Sequence, residues 1–168
     1  MSKSTDKIFR VMFVCTGNTC RSPMAEGLLK AMAKNEKLEY MDIISTGTGT
    51  YDGYPVSNNA AEVSRKAGID ISYHHSTQLV ADLMKESDLI LALAVNHYDR
   101  MQSVYPEYSD KVFMLKGFPE KGNGKKWSVA DPIGLDYEQY QQTFYEIKAE
   151  LERIWPAIKE RYKIKIKG

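Results

Sequence analysis

The chain has 168 residues and is 43% hydrophobic, which suits one domain with its own core and is short for two. Lys and Arg number 23 against 22 Asp and Glu, a net charge of +1, so no global field draws it to nucleic acid or to an anionic membrane, and neither partner is expected. No apolar stretch nears a bilayer span, residues 1–7 lack the apolar core of a secretory signal, and only two cysteines are present, which excludes a disulfide framework and points to a reducing, cytoplasmic compartment.

The first element is a buried strand over 8–14, apolar except at Arg10. A tight loop follows, Cys15-Thr16-Gly17-Asn18-Thr19-Cys20-Arg21-Ser22. Ser22 then reads as an N-cap, Pro23 as the first helical residue, and Met24, Leu28 and Met32 as one helix face. A short strand is expected over 42–46, then a glycine-marked loop around Tyr51 and Tyr54. A helix over 58–67 stops at Gly68, and a shorter one covers 80–85. Strands at 89–93 and 111–115 flank a helix over 96–104. Residues 117–130 read as loop. From Tyr137 a long helix carries Phe144, Ile147, Leu151, Ile154 and Ile158 on one stripe, with Pro156 bending or fraying its last turns. Alternating strands and helices predict an α/β fold: three layers, a four-stranded parallel sheet with helices on both faces. Residues 1–7 read as a flexible N-terminus, 8–162 as a single domain and 163–168 as a basic tail.

Ligands of such sheets bind beyond the carboxyl ends of the strands, where the Cys15 loop lies. Its backbone amides and the following helix N-terminus suit a bound phosphate. Gly17 and Asn18 tolerate the left-handed dihedrals that wrapping an anion requires. Arg21 can grip two phosphate oxygens with its planar fork. These groups together should also lower the pKa of Cys15 and make it a thiolate nucleophile, with Ser22 adding a hydroxyl. Asp131, stiffened by Pro132, is the candidate general acid and base. The loop lacks Gly-x-Gly-x-x-Gly and the Gly-Lys-Ser/Thr ending of nucleotide-binding loops. No metal or other cofactor is needed, and two cysteines with His74, His75 and His97 show no ligand spacing. His75 and His97 read as surface residues.

The run from Val14 through Cys15 and Arg21 to Glu26 resembles the active-site signature of the low-molecular-weight protein tyrosine phosphatase family. Ser45-Thr46-Gly47-Thr48, Ser87-Asp88-Leu89-Ile90-Leu91 and Asp131-Pro132-Ile133-Gly134 fall in that family's order. The resemblance implies Cys15 as nucleophile, Arg21 as phosphate clamp and Asp131 as acid and base. Thr16, Gly17, Asn18, Thr19, Cys20 and Ser22 complete the phosphate-binding loop. His74 and Ser45 support it, with His74 bracing the loop asparagine. Cys20 becomes a reversible disulfide partner that guards Cys15. Tyr51 and Thr19 form the substrate rim, with Tyr51 as an aromatic wall. The implied partners are phosphorylated proteins, and inorganic phosphate or other oxyanions as product or inhibitor. Protein phosphotyrosine is the expected substrate. Thr19 resembles the bacterial protein arginine phosphatase branch instead, making phosphoarginine the alternative. Thioredoxin-linked arsenate reductases resemble the same fold and loop, but they relay electrons through further cysteines that this chain lacks.

Overall fold

The computed structural model describes residues 7–168, so of the expected flexible 1–7 segment all but Lys7 lies outside the described residues. Four strands, β1 (Phe9–Cys15), β2 (Met41–Gly47), β3 (Leu89–Ala92) and β4 (Val112–Met114), form one parallel sheet in the order β2-β1-β3-β4. Between and after them come α1 (Arg21–Asn35), α2 (Asn58–Lys66), α3 (Ala81–Glu86), α4 (Val95–Val104) and α5 (Tyr137–Lys167). The fold expected from the alternation of strands and helices is the one observed.

Alternation along β1 sorts the two faces. Val11, Phe13 and Cys15 point into a core shared with Leu29 of α1, Val63 of α2 and the α5 stripe. Met12 and Val14 point the other way, onto Met84 of α3 and Met101 of α4. Both faces of this inner strand are therefore covered, which is why it reads as a nearly unbroken apolar run. The same alternation turns the Cys15 side chain toward α1 at the carboxyl edge of the sheet.

The expected stripe on α5 is buried throughout, from Phe144 to Ile158. Pro156 does not end the helix. The basic tail expected over 163–168 is instead the last turn of α5 up to Lys167. Lys165 Nζ reaches Asp88 Oδ1 at 2.7 Å, and Ile166 packs against the core. Tertiary contacts outweigh the weak helix signal of a lysine-rich end. Two 3₁₀ turns, Pro106–Lys111 and Lys125–Trp127, were not anticipated. Gly68, at φ +83°, closes α2 as expected. Among the described residues no helix is long and apolar enough to cross a membrane.

Phe144 is fully buried at the centre of the stripe. Phe144→Ala should lower unfolding stability by about 3–5 kcal/mol, measured by urea denaturation. A loss below about 1 kcal/mol would mean the core does not depend on that wall.

Candidate active site

The loop between β1 and α1 is shaped by Asn18. Its φ of +55° is the left-handed turn the wrap needs, and Gly17 does not share it. Every polar group of Asn18 is used. Its amide donates to Cys15 Sγ at 3.3 Å. Its side-chain nitrogen donates to Ser22 Oγ at 2.7 Å and to Ser45 Oγ at 2.9 Å. Its side-chain oxygen accepts the Thr77 amide at 2.8 Å, and its carbonyl lies 2.9 Å from His74 Nε2. His74 and Ser45 therefore contact the loop where support was expected. Gly47 lets the loop approach β2: a Cβ there would overlap the Thr16 carbonyl and sit 3.1 Å from Asn18 Cβ.

Ser22 is not the N-cap. The helix starts two residues earlier than expected, at Arg21, with Cys20 at the cap and no capping side chain. The Ser22 hydroxyl is turned inward, fully buried, 2.8 Å from Cys15 Sγ. Asn18 donates into Ser22 Oγ, and the Ser22 proton has two acceptors in reach, Cys15 Sγ at 2.8 Å and the Thr46 carbonyl at a longer 3.5 Å.

The sequence led us to expect a thiol pKa held low. Burial is instead the largest influence on Cys15 and pushes it up. Against burial stand the Ser22 hydroxyl, the Arg21 charge and the amides of Ser22 and Asn18. The N-terminus of the 15-residue helix α1 acts in the same sense. The sulfur thus sits in a dry site with its stabilising donors already in place.

Arg21 is buried and anchored by Nη1 on the Val129 carbonyl at 2.9 Å. Its Nη2 lies 3.5 Å from Asp131 Oδ2. Asp131 is otherwise fixed by the Ile133 amide, which donates to Oδ1 at 3.1 Å, and its side chain keeps 44% of its exposure. Cys15, Gly17, Asn18, Thr19, Cys20, Arg21, Asp131 and Ile133 line one small pocket. Residues far apart in the sequence thus meet around one pocket.

The rim differs in part from the expectation. Thr19 lines the pocket, but Tyr51 does not; it is 71% exposed and its carbonyl accepts the Ser76 hydroxyl. Ile133, two residues after the acid, takes a place on the wall that the sequence reading passed over. Cys20 is a free buried thiol, 3.4 Å from Ser57 Oγ and 3.3 Å from the Tyr140 hydroxyl. Burial, then the bond to Cys20, pushes the Tyr140 phenol up to about 12, so it stays protonated. His97, read as a surface residue, is fully buried and lies 2.8 Å from Thr16 Oγ1. Its place in the first turn of a helix following a sheet strand was the only available signal. Among the described residues no cluster of three or more His, Cys, Asp or Glu could hold a metal ion.

The family model described as low molecular weight phosphotyrosine protein phosphatase matches residues 10–164. A protein-arginine-phosphatase of Geobacillus stearothermophilus is 35% identical over 146 residues, which cover 87% of this chain and 93% of that one. A probable low molecular weight protein-tyrosine-phosphatase, EpsP of Ralstonia nicotianae, is 33% identical over 149 residues, 89% of this chain and 95% of that one. The crystal structure of a low molecular weight protein tyrosine phosphatase from T. tengcongensis superposes with a TM-score of 0.81 at 40% identity, covering 89% of this chain and 99% of that one.

Removing the Ser22 hydroxyl takes away one of the donors that oppose burial. Ser22→Ala should move the midpoint of Cys15 alkylation by iodoacetamide to higher pH. An unmoved midpoint would show that the 2.8 Å contact does not support the thiolate.

Proposed function

The chain belongs to the low molecular weight phosphotyrosine protein phosphatase family, and from that membership we propose that it removes phosphate from protein side chains through a covalent phosphate on Cys15. The observation that carries this reading is the meeting of Cys15, Arg21 and Asp131 around one pocket. The Cys15 thiolate attacks phosphorus, and an S–P bond forms as the P–O bond to the substrate breaks. Asp131 gives its proton to the departing oxygen. Water then attacks phosphorus, its proton passes to Asp131, and the S–P bond breaks to release inorganic phosphate.

Arg21 clamps two phosphate oxygens, while the loop amides and the α1 N-terminus take up charge on the third. Cys20 lines the same pocket as Cys15, which supports its role as redox partner. Two unbridged thiols are in keeping with a cytoplasmic setting.

Phosphotyrosine on proteins is the substrate we assign, following the family. A second reading, phosphoarginine, is favoured by the rim: Thr19 lines the pocket, while Tyr51 is exposed and outside its lining. The small hydroxyl leaves room for a planar guanidinium beside the Asp131 carboxylate. The protein-arginine-phosphatase relative supports the same reading.

Cys15→Ser should abolish turnover of p-nitrophenyl phosphate, and mass spectrometry of the quenched wild-type enzyme should find phosphate on Cys15. Phosphate on another residue would overturn the mechanism. Asp131→Ala should lower kcat by roughly 10²–10⁴-fold, most for poor leaving groups. Equal slowing for good and poor leaving groups would place the acid elsewhere. Turnover of matched phosphotyrosine and phosphoarginine peptides decides the substrate. The phosphotyrosine assignment expects the aryl ester to be cleaved faster. Faster phosphoarginine cleavage, lost in Thr19→Ile, would establish the second reading in its place.

A further inference from the structure

His97 is a fully buried polar residue that the phosphatase chemistry does not use. It sits in the first turn of α4, whose N-cap, Ala94, has no side-chain acceptor of its own. The His97 ring supplies one: Nδ1 accepts the Ala94 amide at 3.1 Å. That bond leaves the ring proton on Nε2, which donates to Thr16 Oγ1 at 2.8 Å. Burial, and then the nearby Arg21 charge, lowers the His97 pKa to about 3, so the neutral ring keeps this tautomer at neutral pH. Thr16 is gripped from its other side as well, because its carbonyl accepts the Gly49 amide at 3.0 Å.

The same junction reaches the far end of the loop. The Leu93 carbonyl accepts the Val129 amide at 2.7 Å, and the Val95 amide donates to Ser128 Oγ at 2.9 Å. The Val129 carbonyl in turn holds Arg21 Nη1. Two short chains of hydrogen bonds therefore run from one place, the end of β3 and the start of α4. One ends on the residue after the nucleophile, the other on the guanidinium.

We propose that His97 is a positioning residue for phosphoryl transfer, holding Thr16 so that the start of the phosphate loop keeps its register with Arg21 across the β3–α4 junction. The inference rests on the phosphatase reading above. His97 lines no part of the pocket, so its effect passes through Thr16. Displacement of a catalytic loop by a fraction of an ångström slows an in-line displacement more than it weakens binding of the ground state.

Thr16 is exposed, so Thr16→Val removes the acceptor and leaves the Ala94 cap intact. His97→Leu removes both bonds. His97→Gln restores both, since a glutamine at this third helical position can accept the Ala94 amide with its oxygen and donate with its nitrogen. With p-nitrophenyl phosphate, Thr16→Val should lower kcat by about tenfold with KM changed less than about twofold, and should lower the thermal midpoint less than His97→Leu does, because only the buried Nε2 proton loses its partner. His97→Leu should show the same loss of kcat with a lower midpoint, and His97→Gln should recover both. The double variant Thr16→Val/His97→Leu should be no slower than His97→Leu alone.

Wild-type kcat in Thr16→Val, or losses that multiply in the double variant, would overturn the proposal. Calorimetric titration with orthovanadate, which adopts the five-coordinate geometry of the transferring phosphorus, gives a readout independent of turnover. Weaker vanadate binding in both single variants, restored in His97→Gln, supports the brace, and unchanged binding in both counts against it. Absence of turnover by the wild-type protein would defeat the phosphatase reading, while the vanadate titration would still decide the brace.

Discussion

The left-handed turn at Asn18 is the constraint on which the rest of the site depends. An L-residue with a side chain pays conformational energy there, and only a saturated set of partners keeps it in place. Asn18 has that set, drawn from the sulfur, Ser22, Ser45, Thr77 and His74. Those partners come from β1, α1, β2 and the segment after α2. One backbone torsion therefore couples the loop to most of the layer that supports it. Alanine at the same place would lose the side-chain bonds and keep the torsional cost. Glycine would relieve the torsion and leave the Thr77 amide and two hydroxyls without their partner.

The second constraint is the conflict on the sulfur. A thiol buried in the core side of a sheet is held protonated by its surroundings. A nucleophile must be charged. Donors fixed before any substrate arrives oppose the burial without outweighing it: the Ser22 hydroxyl, two amides, the guanidinium and the end of α1. Burial also makes each of them stronger, because the same low dielectric that penalises an isolated charge amplifies its attraction to a fixed dipole.

Much of this was legible in the sequence, and for local reasons. The β1 run, the Cys15-to-Arg21 spacing, the α5 stripe and the Gly68 stop each follow from periodicity or from a backbone preference within a few residues. What escaped was set by packing over long separations. Helix propensity could not show that Lys165 would pair with Asp88 and carry α5 past the expected tail. Nothing near His97 says that Thr16 will arrive against it. Ser22 looked like a cap because serine usually is one, yet here its hydroxyl serves the sulfur. Ile133 lines the pocket and Tyr51 does not, since loop direction after a glycine-rich stretch is decided by which segments it meets, such as Ser76.

The bond from Arg21 to Val129 spans 108 residues, and the contact from Cys20 to Tyr140 spans 120. Contacts that far apart in sequence are among the most expensive to close in loop entropy. Arg21 gains its carbonyl anchor and Asp131 its place at the pocket only when that closure is complete. A partly folded chain can therefore hold the Asn18-centred loop, whose partners lie between Cys15 and Thr77, and still lack both the anchored guanidinium and the acid.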